Sequence, residues 1–223
     1  MLSQGQSPRF IYEPPTTPLY YHHVDDDLLV LEKPSGLLSV PGKADDHGDC
    51  VEARVRADHL SATIVHRLDL DTSGLMIMAL NIDAHRNLSA QFQRREIEKR
   101  YIAKVWDRPM SDNGTITLPL RCNWPQRPKQ MVDFTLGKAA ETRWQVLASD
   151  GKTSLIALSP KTGRSHQLRV HMASIGCPIL GDRFYAHDEA LAMSKRLLLH
   201  AERLAFKHPV TGTEMVFESK TGF

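Results

Sequence analysis

The chain reads as an α+β domain on a mixed, mostly antiparallel sheet with flanking helices, and three observations lead there. Short segments of strand character recur along it, among them "LLVLEKP", "KRYIAKVWD", "TRWQVLAS" and "SLIALSP". Helical spacing is confined to a few stretches, most clearly "TGRSHQLRVHMASIG". Strands and helices do not alternate in regular βαβα order, which argues against a doubly wound parallel sheet.

Residues 1 to about 23 contain Pro, Gln and Ser without periodicity and are expected to form a loosely held arm, leaving 24–223 as one domain. "LLVLEKP" is a buried strand ending at Pro34, with Ser35-Gly36 as the turn. Val51 to His59 is a short helix. "ATIVHRLD" has the β-branched and apolar content of a strand, and "LMIMAL" is buried after the turn that follows. Asn81 or Asp83 caps a helix running to about Lys99, with Leu88 and Phe92 on its apolar face. "KRYIAKVWD", "GTITLPL", "TRWQVLAS" and "SLIALSP" continue as strands. In the next helix Ser165 is the expected N-cap, Leu168, Met172 and Ile175 form the stripe, and Gly176 stops it. The tail, "RLAFKHPVTGTEMVFES", gives two strands joined by a turn.

Bulk properties narrow the function classes. A chain of 223 residues, 41% apolar and 24% charged, has ample core for a globular domain. No apolar run approaches the roughly 20 residues that span a bilayer, and the N-terminus lacks the pattern of an export or import signal. Cys50, Cys122 and Cys177 are far apart and outside any C-x-x-C arrangement, so reduced thiols and a cytoplasmic location are expected. Net charge is only +2, but basic residues gather in "QRREIEKRYIAK", "RCNWPQRPKQ" and "SPKTGRSHQLRVH". If those segments meet on one face, a surface for nucleic acid results; otherwise they are solvated faces.

The chemistry concentrates in "TIVHRLDLDTSGLMIMAL", where His66, Arg67, Asp69 and Asp71 interrupt two apolar runs. A carboxylate where a strand gives out into a turn is rigidly held yet reachable, suited to a nucleophile or general base. It is equally suited to accepting hydrogen bonds from its own turn. Arg164, just before the Ser165 cap, is a permanent cation fitted to an anion, whether phosphate or carboxylate. His166 and His171 are five apart, and no second His/Asp cluster has metal-ligand spacing, so no metal is expected. No second carboxylate stands out as a glycosidase partner for Asp69, and phosphate-loop, dinucleotide and G-x-S-x-G signatures are absent.

Four of these segments, in order, resemble the motifs of the RluA family of pseudouridine synthases: "EKPSGLLSVPG", "HRLDLDTSGLMIMAL", "KRYIAKV" and "TGRSHQLRVHM…PILGDRFY". The resemblance covers about residues 24 to 220 and implies the pseudouridine synthase fold, with a central RNA-binding cleft and without an S4-like module. It implies an isomerase that needs no cofactor or metal, acting on uridines of RNA. Asp69 would be the catalytic aspartate, Arg164 its salt-bridge partner and Tyr101 the aromatic residue against the uracil. Arg67 would help displace the target base, and Leu168 would pack beside it once flipped. His66, Leu68, Thr72, Ser73, Gly74, Lys33, His166 and Gln167 would complete the substrate-binding surface. The loops "LRCNWPQRPKQ" and "GKAAETRW" and the closing "RLLLHAERLAFKHP" are similar to the family's bacterial dual-specificity branch. That similarity implies a 23S rRNA hairpin and a tRNA anticodon stem-loop as substrates. Separately, no membrane association and no obligate protein partner are expected, and a monomer is expected. The alternative is a catalytically silent RNA-binding protein or RNA chaperone on the same fold.

Overall fold

The computed structural model describes residues 11–223. In chain order the strands and helices are β1 (Tyr20–Val24), β2 (Leu28–Lys33), α1 (Val51–Asp58), β3 (Thr63–Ile64), β4 (Ser73–Ala79), α2 (Ile82–Arg94), β5 (Glu98–Trp106), β6 (Asn113–Ile116) and β7 (Leu120–Cys122). β8 (Gln130–Val132), β9 (Thr142–Ser149), β10 (Thr153–Pro160), α3 (Gln167–Ser174), α4 (Asp188–Ala192), β11 (Leu199–Lys207) and β12 (Glu214–Glu218) follow. The main sheet runs β1-β2-β4-β11-β5-β10-β9-β6, with β12 beside β11 and β3 beside β4. Every pairing in it is antiparallel except β4 with β11, so the expected mixed, mostly antiparallel α+β sheet is what forms. No helix among the described residues is long and apolar enough to cross a membrane.

The continuous apolar runs of β2 and β4 arise because both of their faces are covered. Leu28 and Val30 pack with Leu75, Ile77, Ala84 and Leu88 on the α2 side. Leu29 and Leu31 pack with Met76, Met78, Val51 and Val55 on the α1 side. A third cluster joins β5 and β10 to α3 through Ala103, Val105, Ile156, Leu168 and Met172. Where β4 meets β11, Gly74 adopts φ 114, and a Cβ there would run into the backbone of Ala201. That close approach is available only to glycine.

Four local differences from the sequence expectation have physical causes. The eight-residue strand over "ATIVHRLD" shrinks to Thr63–Ile64, because the His66 side chain takes over the ladder: Ile77 N–H donates to His66 Nε2 at 3.0 Å. α2 does not reach Lys99. Arg95 turns left-handed at φ 62 and its N–H closes on Gln91 and Phe92, feeding the chain into β5. α3 begins after His166, itself left-handed at φ 52, rather than after a Ser165 cap. The expected loose arm falls partly outside the described residues; from Tyr12 onward it is tied down. Tyr12 Oη donates to the Asp49 carbonyl and accepts from Leu38 N–H, Arg54 reaches the Pro15 and Thr17 carbonyls, and Tyr20–Val24 pairs with β2.

Candidate active-site cleft

The segment from His66 to Thr72 is held by the turn that follows β2. Lys33, fully buried, spends its three ammonium protons on the carbonyls of Pro34, Leu37 and Leu70, at 2.7 to 2.9 Å. Burial pulls its pKa down to about 7, against the raising effect of the Asp69 and Asp71 charges. Ser39 Oγ donates to the Leu68 carbonyl and accepts from Leu68 N–H, and Ser35 Oγ donates to the Asp71 carbonyl. Two turns thus clamp each other, and Asp69 is left at their apex, half-buried.

Its carboxylate makes no hydrogen bond within the described residues; its single ion pair is to Arg169 Nη1, at 3.7 Å. Arg169 is 1% exposed and is itself forked onto Asp182, Nε to Oδ2 at 2.8 Å and Nη2 to Oδ1 at 2.6 Å. Asp182 also accepts from the N–H groups of Phe184 and Tyr185, and the rings of both residues lie against the Arg169 guanidinium. The expected partner, Arg164, stands elsewhere. It is exposed, and its Nε donates to the Ala139 carbonyl. The correction has a geometric origin: Arg164 precedes the helix and faces solvent, whereas Arg169 lies within α3 on the side that packs against the rest of the protein. A clue was present in the sequence. An arginine inside "QLRVHM", flanked by apolar residues, must be buried with a partner, and "GDRFY" supplies an aspartate.

Asp69 opens into a cleft of about 1680 Å³, larger than the roughly 300–1,000 Å³ of a small-ligand pocket. Tyr101, Arg164, His66, Arg67, Leu68, Thr72, His166, Gln167 and Leu168 all line it. Ser73, Gly74 and Lys33 do not; they lie behind the wall. Ser73 Oγ is 2.9 Å from His200 Nδ1, and Gly74 serves the close contact with β11. Two cleft residues are also occupied structurally. Gln167 donates Nε2–H to the Glu141 carbonyl and to Thr142 Oγ1, while its Oε1 accepts from Thr162 and from Arg164 N–H. His66 is stacked on Phe92, and burial takes its imidazole down to about 3. Tyr101, which packs against two of the core clusters, has its phenol pushed up by burial and by the Asp69 charge.

Two of the three basic segments bring cations to this cleft, Arg95 and Lys99 from the first and Lys161 and Arg164 from the third, whereas the second contributes only the uncharged Pro128. Arg67 adds another cation, while the acidic Glu98 and Glu202 on the lining are paired with Arg203 and Arg100. A large cleft with an excess of cations on its lining is fitted to a polyanion rather than to a small neutral molecule.

Away from the cleft, Asp25, Asp27 and His208 bring their ligand atoms within 4.8 Å of one another. His208 Nδ1 accepts from the N–H groups of Val210 and Thr211, so its Nε2 carries the proton and donates to Asp25 Oδ2 at 3.1 Å. A metal would need that nitrogen bare and the other protonated. The group is a hydrogen-bonded clamp between the start of β2 and the β11–β12 turn.

Residues 27–174 match the family described as RNA pseudouridylate synthase. The chain is 50% identical over 215 residues to the dual-specificity RNA pseudouridine synthase RluA of Escherichia coli strain K12, covering 95% of this chain and 98% of that one. Its identity to the protein of the same name from Yersinia pestis is 52% over 200 residues, 89% of this chain and 97% of that one. Among solved structures, human RNA pseudouridylate synthase domain containing 1 superposes with a TM-score of 0.77 at 26% identity, over 93% of this chain and 86% of that one.

Proposed function

Because the chain belongs to the RNA pseudouridylate synthase family, we propose that it isomerises uridine to pseudouridine within structured RNA, in a 23S rRNA hairpin and in a tRNA anticodon stem-loop. The observation that carries the reading is the carboxylate of Asp69, free of hydrogen bonds among the described residues and faced by a buried arginine, in a cleft lined with cations. The two substrates rest on the similarity to dual-specificity relatives over nearly the full length of both chains.

In this reading the bond from uracil N1 to ribose C1′ breaks, the base turns while held, and C5 bonds to C1′. A base must leave its stack first, at a cost of a few kcal/mol that phosphate and pocket contacts offset. Arg67, exposed at the cleft edge, takes the place of the displaced base. Tyr101 and Leu168 hold the uracil beside Asp69. Arg169, rather than Arg164, orients the carboxylate and balances its charge, and Arg164 with Lys161 and Arg95 holds the RNA backbone. His66 and Gln167 shape the pocket through the hydrogen bonds they already make, and Thr72 closes the turn beneath Asp69. Residues 24–223 act as one catalytic domain, and no metal or cofactor is needed for an isomerisation without redox or group transfer.

Tritium release from RNA carrying [5-³H]uridine tests the proposal, because bonding at C5 expels that hydrogen. Release from both stem-loops, lost in Asp69→Ala while RNA binding persists, is the expected result. Release from only one would narrow the substrate. Binding without release from any RNA would favour a silent RNA-binding protein.

A further inference from the structure

His166 stands three residues before Arg169, and its ring is gripped from two sides. Phe184 stacks on it at 5.6 Å and 17° from parallel, and Tyr185 meets it edge-on at 5.6 Å. Its left-handed backbone, φ 52, is one that a non-glycine residue keeps only where the surroundings impose it. Tyr185 Oη lies 2.7 Å from His166 Nδ1 and accepts the N–H of Gln130, also at 2.7 Å.

These two bonds fit one tautomer better than the other. A phenol has one proton to give. If His166 Nδ1 donated to Oη, that oxygen would accept twice and its own proton would have no acceptor among the described residues. With Nδ1 as acceptor every proton is used within the described residues, the arrangement that places the neutral ring's hydrogen on Nε2. Burial disfavours the charged ring, and Tyr185, raised to about 12, keeps its proton. Nε2 has no hydrogen-bond partner in the described residues, yet no buried side-chain nitrogen there is left unsatisfied, so Nε2 is not sealed from solvent, and His166 is one of the residues that line the cleft. Of the charges around the ring, Asp69 acts on it most strongly.

We propose that His166 is a catalytic residue that donates Nε2–H, as a neutral imidazole, to a carbonyl oxygen of the departing uracil; the inference rests on the isomerase reading above. When N1–C1′ breaks, the electron pair goes to the uracil ring and spreads over N1 and its two carbonyl oxygens. C5 then attacks C1′, the C5 hydrogen leaves as a proton, and N1 takes one proton from water. His166 neither gains nor loses a proton. An imidazolium would be acidic enough to protonate the uracil anion and remove the electron density that C5 needs. A neutral N–H stabilises the charge without surrendering its hydrogen, as a preorganised donor in a water-poor site should. Tyr185 and Gln130 act through His166 and are positioning residues.

The test compares His166→Leu, which has no donor, His166→Gln, which keeps a neutral N–H, and Tyr185→Phe, which removes the tautomer lock. Single-turnover tritium release and RNA affinity are measured on the full chain, with ¹⁵N NMR of the wild-type and Tyr185→Phe imidazoles at neutral pH. Expected are a loss of about 100-fold in rate for His166→Leu, at least about tenfold of it recovered by His166→Gln, and RNA affinity within about threefold of wild type. The NMR signature expected is a neutral ring protonated on Nε2, becoming a tautomer mixture in Tyr185→Phe. A His166→Leu rate within about threefold of wild type, or a loss of affinity that accounts for the whole rate loss, overturns the proposal. So does a wild-type ring protonated on Nδ1. Wild-type protein that releases no tritium from either RNA sinks the isomerase reading itself, whereas turnover that ignores His166 sinks only this one.

Discussion

Arg169 spends two of its nitrogens on Asp182, at 2.6 and 2.8 Å, and turns the third toward Asp69 at 3.7 Å. The bidentate bond fixes the plane of the guanidinium, so Asp182, which is off the cleft lining, sets the direction in which the charge reaches the candidate catalytic carboxylate.

Removing Asp182 should therefore damage both stability and turnover. Asp182→Ala leaves Arg169 buried with one distant partner, and breaking a buried pair from one side costs roughly 3–5 kcal/mol. Urea unfolding measures the first effect and single-turnover tritium release the second. A variant as stable as wild type would show that the fork contributes little.

The two arginines of "TGRSHQLR" should separate cleanly. Arg164→Ala, at an exposed position, should change stability by no more than about 0.5 kcal/mol, weaken RNA binding and flatten its salt dependence. Arg169→Ala should lower stability and turnover together. Abolished turnover in Arg164→Ala at saturating RNA would show that Arg164, not Arg169, partners Asp69.

Glycine substitutions should differ by position. Gly74→Ala places a Cβ 2.6 Å from the Ala201 nitrogen at φ 114, so it must push β4 away from β11; a loss of more than about 3 kcal/mol is expected. Gly151→Ala, at φ 85 with nothing within 4 Å, should cost only about 1 kcal/mol. Thermal or urea unfolding of the pair reads the difference, and equal losses would remove close packing as the cause.

Acid should act through His66. Its folded pKa, about 3, is below the unfolded value near 6.5 because of burial, and its Nε2 accepts from Ile77 N–H. Between those pH values the unfolded chain binds the extra proton, so stability falls as pH falls, by up to about 2 kcal/mol between pH 6.5 and 5. Unfolding free energies of wild type and His66→Gln across that range check the sign. The variant should show a slope shallower by up to one proton, and unchanged slopes would refute the assignment.

Much of the fold was legible because it depends on local periodicity. β2, α1, the core of β4, β5, β9, β10 and the final hairpin fall where apolar spacing and turn residues place them. The short β7 and β8 and the edge strand β1 carried no such signal, since their residues are polar or mixed and find partners only across the sheet or hairpin. The "ATIVHRLD" strand failed for a related reason. One side chain, His66, supplied the hydrogen bond that the backbone was expected to make.

By itself the sequence determined the sheet class, the position of Asp69 in a tight polar turn and, through four ordered motifs, the family. Those properties reside in contiguous residues. Tertiary structure alone decided which arginine faces Asp69, which motif residues line the cleft and which brace it from behind, and how Tyr185 and Gln130 fix the His166 ring. Each of those depends on the direction of a side chain leaving a helix or turn, and that direction is set by packing between segments far apart in the chain.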